Sequence, residues 1–295
     1  MIQYRITREN LEKEIEVQAP GWLAKAQTRT ERFRRLGYYK ETSSIWSEVK
    51  AVYMRLQGNS KCAYCERKLE SIDYGKGEQD VEHFRPKSSV RAWKAPKSLT
   101  DQRVTFTEVP SASYGYYLLP YHLLNYSAAC KPCNSALKKD YFPIASAYNL
   151  RGEEPEDLLR EKPYLMYPIG RFDDDPQDLL EFYGTSPRPR KKAGHNRRRA
   201  LVTIEFFKLD DAVKRKNLFR ERAQILVALF PQLEKIQTAR STAARTAAKK
   251  LIDGFTSPVA PHTNCARSFT RLFESDPAEA RTVFDKASEF VLSIS

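Results

Sequence analysis

The chain has 295 residues, enough for one large domain or two modest ones with a full hydrophobic core. Hydrophobic residues make up 41% and charged residues 29%, the balance of a folded soluble protein, and no apolar run approaches the roughly 20 residues of a membrane span. A net charge of +13 favours contact with polyanions, and the amino end from Met1 to Arg5 lacks the apolar segment of a signal peptide, so cytoplasmic residence is expected.

Residues 1–60 read as a helical segment. One helix opens at Ser44-Ile45-Trp46, buries Trp46, Val49, Val52, Tyr53 and Leu56 on one face, and stops at Gly58. Residues 61–145 hold every chemical motif and are locally irregular, with short strands expected at Asp80 to Phe84 and at Arg103 to Thr107 and a helix starting near Cys133. Residues 146–295 form a mostly helical, basic region. It begins with loops and short strands up to about 196, and from Asp210 an apolar stripe (Leu218, Ile225, Leu226, Leu229, Phe230, Leu233, Ile236) is expected to kink or break near Pro231. Asp276-Pro277-Ala278-Glu279 reads as an N-cap with Pro at N1, opening a last helix. The expected fold class is mainly α with a small α+β core.

Two close cysteine pairs, Cys62-Ala63-Tyr64-Cys65 and Cys130-Lys131-Pro132-Cys133, supply the four thiolates of a closed tetrahedral zinc site. With no open coordination position, such a zinc is a structural staple. The fifth cysteine, Cys265, has no nearby partner and reads as a lone thiol. Between the pairs stands Glu82-His83. An imidazole can take a proton from water, and a carboxylate can hold a divalent cation that stabilises charge on a phosphate. A strand ending at His83 would let both side chains serve one site. Asn134 follows the last cysteine, and its amide oxygen is a suitable hard ligand for Mg²⁺ or Mn²⁺. Asn125 could instead hold the imidazole or a neighbouring backbone in place. Arg85, Lys87, Lys138 and Lys139 are near enough in sequence to hold phosphates. A further basic run contains Arg190, Lys191, Lys192, Arg197, Arg198 and Arg199 with no acid among them. Together these groups point to a metal-dependent nuclease.

The segments Val81-Glu82-His83-Phe84-Arg85-Pro86-Lys87, Ala129-Cys130-Lys131-Pro132-Cys133-Asn134 and Lys138-Lys139-Asp140-Tyr141-Phe142-Pro143 resemble the HNH endonucleases, whose ββα-metal finger carries a catalytic His on a strand. Among these they look like the nuclease subunits of Septu-type anti-phage systems (PtuB-like). The resemblance covers about residues 60–145. It implies His83 as general base, Glu82 and Asn134 as ligands of a catalytic Mg²⁺ or Mn²⁺, Asn125 as the supporting residue, and structural Zn²⁺ on the four cysteines. It further implies DNA, or else RNA, as substrate, and an ABC/AAA-type ATPase (PtuA-like) as partner. Two departures are notable: Glu stands where Asp is common before the His, and Asn stands at the third motif position. The long gap from His83 to Asn125 implies an insert at about 88–113 that lengthens the hairpin. The competing reading is a zinc-stabilised nucleic-acid-binding or adaptor module with an inactive nuclease centre.

Overall fold

The computed structural model describes residues 1–73, 77–111 and 114–293. The amino-terminal helices are α1 (Arg8–Gln18), α2 (Trp22–Leu36) and α3 (Lys50–Leu56), the last entered through a 3₁₀ turn at Trp46–Val49. Thr7 caps α1 by accepting a hydrogen bond from the Asn10 amide at 3.1 Å. Just past α3, Gly58 takes φ +59°, and a Cβ there would meet the Pro258 carbonyl oxygen at 2.6 Å. The expected stop thus also permits a close approach of the carboxy-terminal region.

The α+β core is a two-stranded antiparallel sheet, β1 (Gln79–His83) on β2 (Tyr126–Cys130), followed by a π-helical turn at Pro132–Lys138. In register, Glu82 faces Ser127 and His83 faces Tyr126. Each strand has five residues, so the insert does not lengthen the hairpin. It contains the short helix α4 (Lys97–Asp101) and folds back by aromatic packing, with Trp93 on Phe106 and Phe206. Ala112 and Ser113 at its end lie outside the described residues. The strand expected at Arg103 to Thr107 is not formed either. Val104 is buried and Phe106 packs on Tyr164, but Arg103 has φ +57° and the Thr107 amide bonds singly to Ile144 O. The alternation reflects burial of two side chains, with no neighbouring strand to complete a ladder.

Downstream, α5 (Pro176–Leu179) leads into a hairpin of β3 (Leu180–Tyr183) and β4 (Ser186–Pro189), then α6 (Gly194–Phe206) and a bundle of α7 (Lys216–Thr238), α8 (Thr242–Thr256), α9 (Thr263–Ser275) and α10 (Pro277–Ser293). The expected break does not occur: α7 runs through Pro231 as one element. Phe230, beside the proline, stacks on Phe284 of α10 at 4.5 Å, and such packing holds the helix together across the missing N–H. Asp276 caps α10 as expected, accepting from the Glu279 amide at 3.0 Å. One hydrophobic core runs from Met1 to Ala287 and includes all four paired cysteines. No helix among the described residues is long and apolar enough to cross a membrane.

Candidate active site and metal centre

Cys62, Cys65, Cys130 and Cys133 are buried, and their sulfurs all lie within 4.8 Å of one another. The Cys65 and Cys130 sulfurs are 3.8 Å apart. A tetrahedral ion with Zn–S bonds of ~2.3 Å requires sulfur separations of about 3.8 Å, so the cluster fits structural zinc. Donors that face the sulfurs include the Cys130 amide, to Cys62 Sγ, and Arg215 Nη2, to Cys133 Sγ, both at 3.4 Å. Arg215 sits just before α7, so the carboxy-terminal bundle meets the knuckles directly. A second contact is the Tyr64 ring, stacked on Phe207 with centroids 4.0 Å apart.

The knuckles flank the β1–β2 hairpin and so fix the direction in which the adjoining side chains point. Glu82, His83 and Asn134 line one cleft of about 640 Å³, together with Trp46, Asp80, Lys87, Lys139 and Asp140. Glu82 and His83 form its floor, at 3% and 8% exposure. Because β1 ends at His83, neighbouring side chains that a continuing strand would send to opposite faces both reach the cleft.

The His83 ring is held on three sides. Its Nε2 lies 3.0 Å from the Pro120 carbonyl oxygen, which also accepts from the Tyr126 hydroxyl. The rings of Trp46 and Tyr126 stand nearly perpendicular to it at 4.9 and 5.0 Å. A carbonyl only accepts, so Nε2 carries the proton and Nδ1 is the ring atom with a lone pair. Burial, assisted by the positive charges of Lys87 and Lys138, pushes the His83 pKa well below its ordinary value. The imidazole is therefore neutral around pH 7. Burial raises the Glu82 carboxyl to about 7, opposed by the Lys138 ammonium 3.3 Å away.

Asn125 does not line the cleft. It is fully buried, accepts from the Arg85 amide at 2.8 Å, and donates to the Arg85 and Leu119 carbonyls, both at 3.1 Å. These bonds tie the chain just after His83 to the loop that presents the Pro120 carbonyl. Gly115 assists: at φ +65° its Cα position lies so close to the Pro86–Lys87 backbone that a Cβ would fall 2.6 Å from Lys87 C.

Three of the ten expected phosphate contacts are corrected by burial. Arg85 is fully enclosed, paired with Glu161 at 3.2 Å and bonded to Leu158 O at 3.0 Å. Lys138 is likewise enclosed and paired with Glu82. Arg199 is clamped by Asp173 at 2.6 Å and Asp174 at 3.1 Å. Each charge is answered by an internal carboxylate, as a buried cation requires, and none reaches solvent. Lys87 and Lys139 do line the cleft, Lys87 with its ammonium 4.7 Å from the Trp46 ring centre. Arg190, Lys191 and Lys192 are exposed ahead of α6, where Arg190 bonds Gln177 O at 3.0 Å. Arg197 and Arg198 are half-buried in its first turns, Arg197 donating to Gln102 at 2.7 Å. Among cleft residues, sequence reasoning missed Trp46, whose helical spacing reads as core, and Asp140, which follows Lys139 at φ +45°. The signals that pointed to this surface were the carboxylate–imidazole pair, Asn134 and the two lysines Lys87 and Lys139.

Comparison with known proteins gives one relative of note, a Septu protein PtuB of Bacillus mycoides (strain KBAB4). It is 30% identical over 179 residues, which is 61% of this chain and 50% of the relative, so the chain spans about half the length of the protein it matches. The resemblance to PtuB-like proteins is thus found over more of the chain than the motifs alone. No family model matches. No solved structure matches.

Proposed function

We propose that this chain is a metal-dependent endonuclease of HNH type acting in anti-phage defence. The observation that carries the reading is the convergence of Glu82, His83 and Asn134 on one cleft beside a four-cysteine cluster. The similarity to a Septu protein supports the defence setting. Glu82 and Asn134 offer hard oxygen donors, a set that suits Mg²⁺ or Mn²⁺ and not a soft ion. A divalent cation held there would supply charge stabilisation at the scissile phosphate and the leaving oxygen.

His83 supplies the base. With Nε2–H committed to Pro120, the ring accepts a proton from water at Nδ1, and the perpendicular rings of Trp46 and Tyr126 keep it from rotating. Lys87 and Lys139 hold phosphates on either side of the scissile bond, while the exposed cations Arg190, Lys191 and Lys192, with Arg197 and Arg198, extend the contact to flanking backbone. DNA is the substrate in this reading, and an ABC/AAA-type ATPase is the partner that directs or restrains cleavage.

The test is a cleavage assay on duplex and single-stranded DNA and on RNA, in Mg²⁺ or Mn²⁺, with and without an ABC/AAA-type ATPase partner from the same organism. His83→Ala should reduce cleavage by about 10²–10⁴-fold while leaving DNA binding intact. Equal cleavage by that variant would remove the base assignment. No cleavage by the wild type of any substrate, with its partner present, would favour the adaptor reading.

A further inference from the structure

We propose that Tyr64 and Lys138 are positioning residues for Glu82, holding one carboxylate oxygen on the buried side so that the other is presented to the divalent cation. The inference rests on the endonuclease reading and gives Tyr64 and Lys138 a role that the sequence reading did not. Lys138 Nζ lies 3.3 Å from Glu82 Oε1, and the Tyr64 hydroxyl donates to that same oxygen at 3.5 Å. No bond to Oε2 is formed among the described residues, and Glu82 lines the cleft. The two donors therefore fix the carboxylate's rotation and leave a single oxygen to act as ligand.

Neither donor is adjustable. Lys138 is fully buried, lies 5.8 Å from the Phe142 ring centre, and also donates to the His83 carbonyl at 3.5 Å. Its ammonium thus spans both the metal-binding and the base position. Tyr64 is held by its stack on Phe207, with an interplanar angle of 17°. Both residues are anchored to the thiolate cluster. Tyr64 lies inside the first knuckle, between Cys62 and Cys65, and Lys138 closes the π-helical turn that begins beside Cys133. The two cysteine pairs consequently grip the same carboxylate from two sides. Zinc would then do more than staple the fold: it would set the orientation of a ligand to a different metal. Outer-shell partners of this kind commonly change metal affinity by about 10–100-fold.

The experiment measures Mn²⁺ binding to zinc-loaded protein by calorimetry, without substrate, for wild type, Tyr64→Phe, Lys138→Met and Lys138→Arg, with zinc content determined on the same samples. Tyr64→Phe removes one hydroxyl and keeps the Phe207 stack. Expected are a Mn²⁺ Kd about 10-fold or more weaker for Tyr64→Phe and Lys138→Met, partial rescue by Lys138→Arg, and unchanged zinc content. Cleavage by both variants should return at high Mn²⁺, as a shift in metal requirement and not in maximal rate. If Lys138→Met does not fold because Glu82 is stranded, Tyr64→Phe carries the test alone. Kd values within twofold of wild type at full zinc would overturn the inference and leave the endonuclease reading standing. A wild type that binds no Mn²⁺ would overturn both.

Discussion

Asn125→Ala should destabilise the protein and silence the site without removing any group that faces the cleft. The side chain makes three buried hydrogen bonds, to the amide and carbonyl of Arg85 and to the carbonyl of Leu119. Alanine strands the Arg85 amide and carbonyl, whereas the Leu119 carbonyl keeps the His122 amide at 3.2 Å. An unpaired buried donor or acceptor costs about 1–3 kcal/mol, with carbonyls toward the lower end, so the two together cost about 2–4 kcal/mol. For a chain of this length each kcal/mol moves the unfolding midpoint by about 2 °C, giving a fall of about 4–8 °C. Cleavage should fall with it, because the Pro120 carbonyl that holds His83 Nε2 is carried by the loop that Asn125 ties down. Asn125→Asp separates the two effects: it keeps an acceptor for the Arg85 amide but sets a carboxylate oxygen against two carbonyls, so it should be no more stable than the alanine variant. Scanning calorimetry with parallel nicking assays checks both. A midpoint within about 2 °C of wild type for Asn125→Ala, with normal cleavage, would refute the claim that this amide organises the site.

Cys130→Ser should lose zinc and, with it, cooperative unfolding, and a strong chelator should do the same to the wild type; atomic absorption beside near-UV circular dichroism reads both. Arg85→Met and Lys139→Ala distinguish a buried cation from an accessible one. The first strands Glu161 and should cost about 3–5 kcal/mol in stability, whereas the second should leave the melting point unchanged and reduce the salt dependence of DNA binding by about one phosphate contact. Burial pushes the Cys265 thiol up to about 12 and its sulfur donates to the Gly184 carbonyl. It should therefore resist a thiol reagent at about pH 8 in native protein and react once α9 unfolds, as followed by mass spectrometry.

Much of the site could be read without coordinates because its determinants are short in sequence. A Cys-x-x-Cys pair brings two thiolates to one ion through a single turn, and Glu82 and His83 are covalent neighbours, so their proximity needs no tertiary argument. The same holds for the α10 cap at Asp276 and the end of α3 near Gly58. The role of Asn125 as a backbone brace was also legible, since an amide next to a knuckle offers both a donor and an acceptor. The strand expected at 103–107 shows where such reasoning fails. Alternation records which side chains are buried, while a strand needs a partner backbone, and that partner is chosen elsewhere in the chain.

Charge is the clearest division between the two levels. In sequence, Arg85, Lys87, Lys138 and Lys139 are equivalent cations around one motif. Packing enclosed Arg85 beneath residues near 160 and Lys138 against Glu82, and left Lys87 and Lys139 at the cleft. Arg199 was separated from its basic neighbours in the same way, by two aspartates more than twenty residues upstream. Trp46, too, moved from an expected core stripe to the cleft wall, because the cleft exists only once α3 and β1 are side by side. Covalent spacing alone determined that the two thiolates of each Cys-x-x-Cys pair can share an ion, while the fold brings the two pairs together. Whether a charge meets water or a buried carboxylate depends on what the rest of the chain lays over it, and that is decided only when distant segments pack.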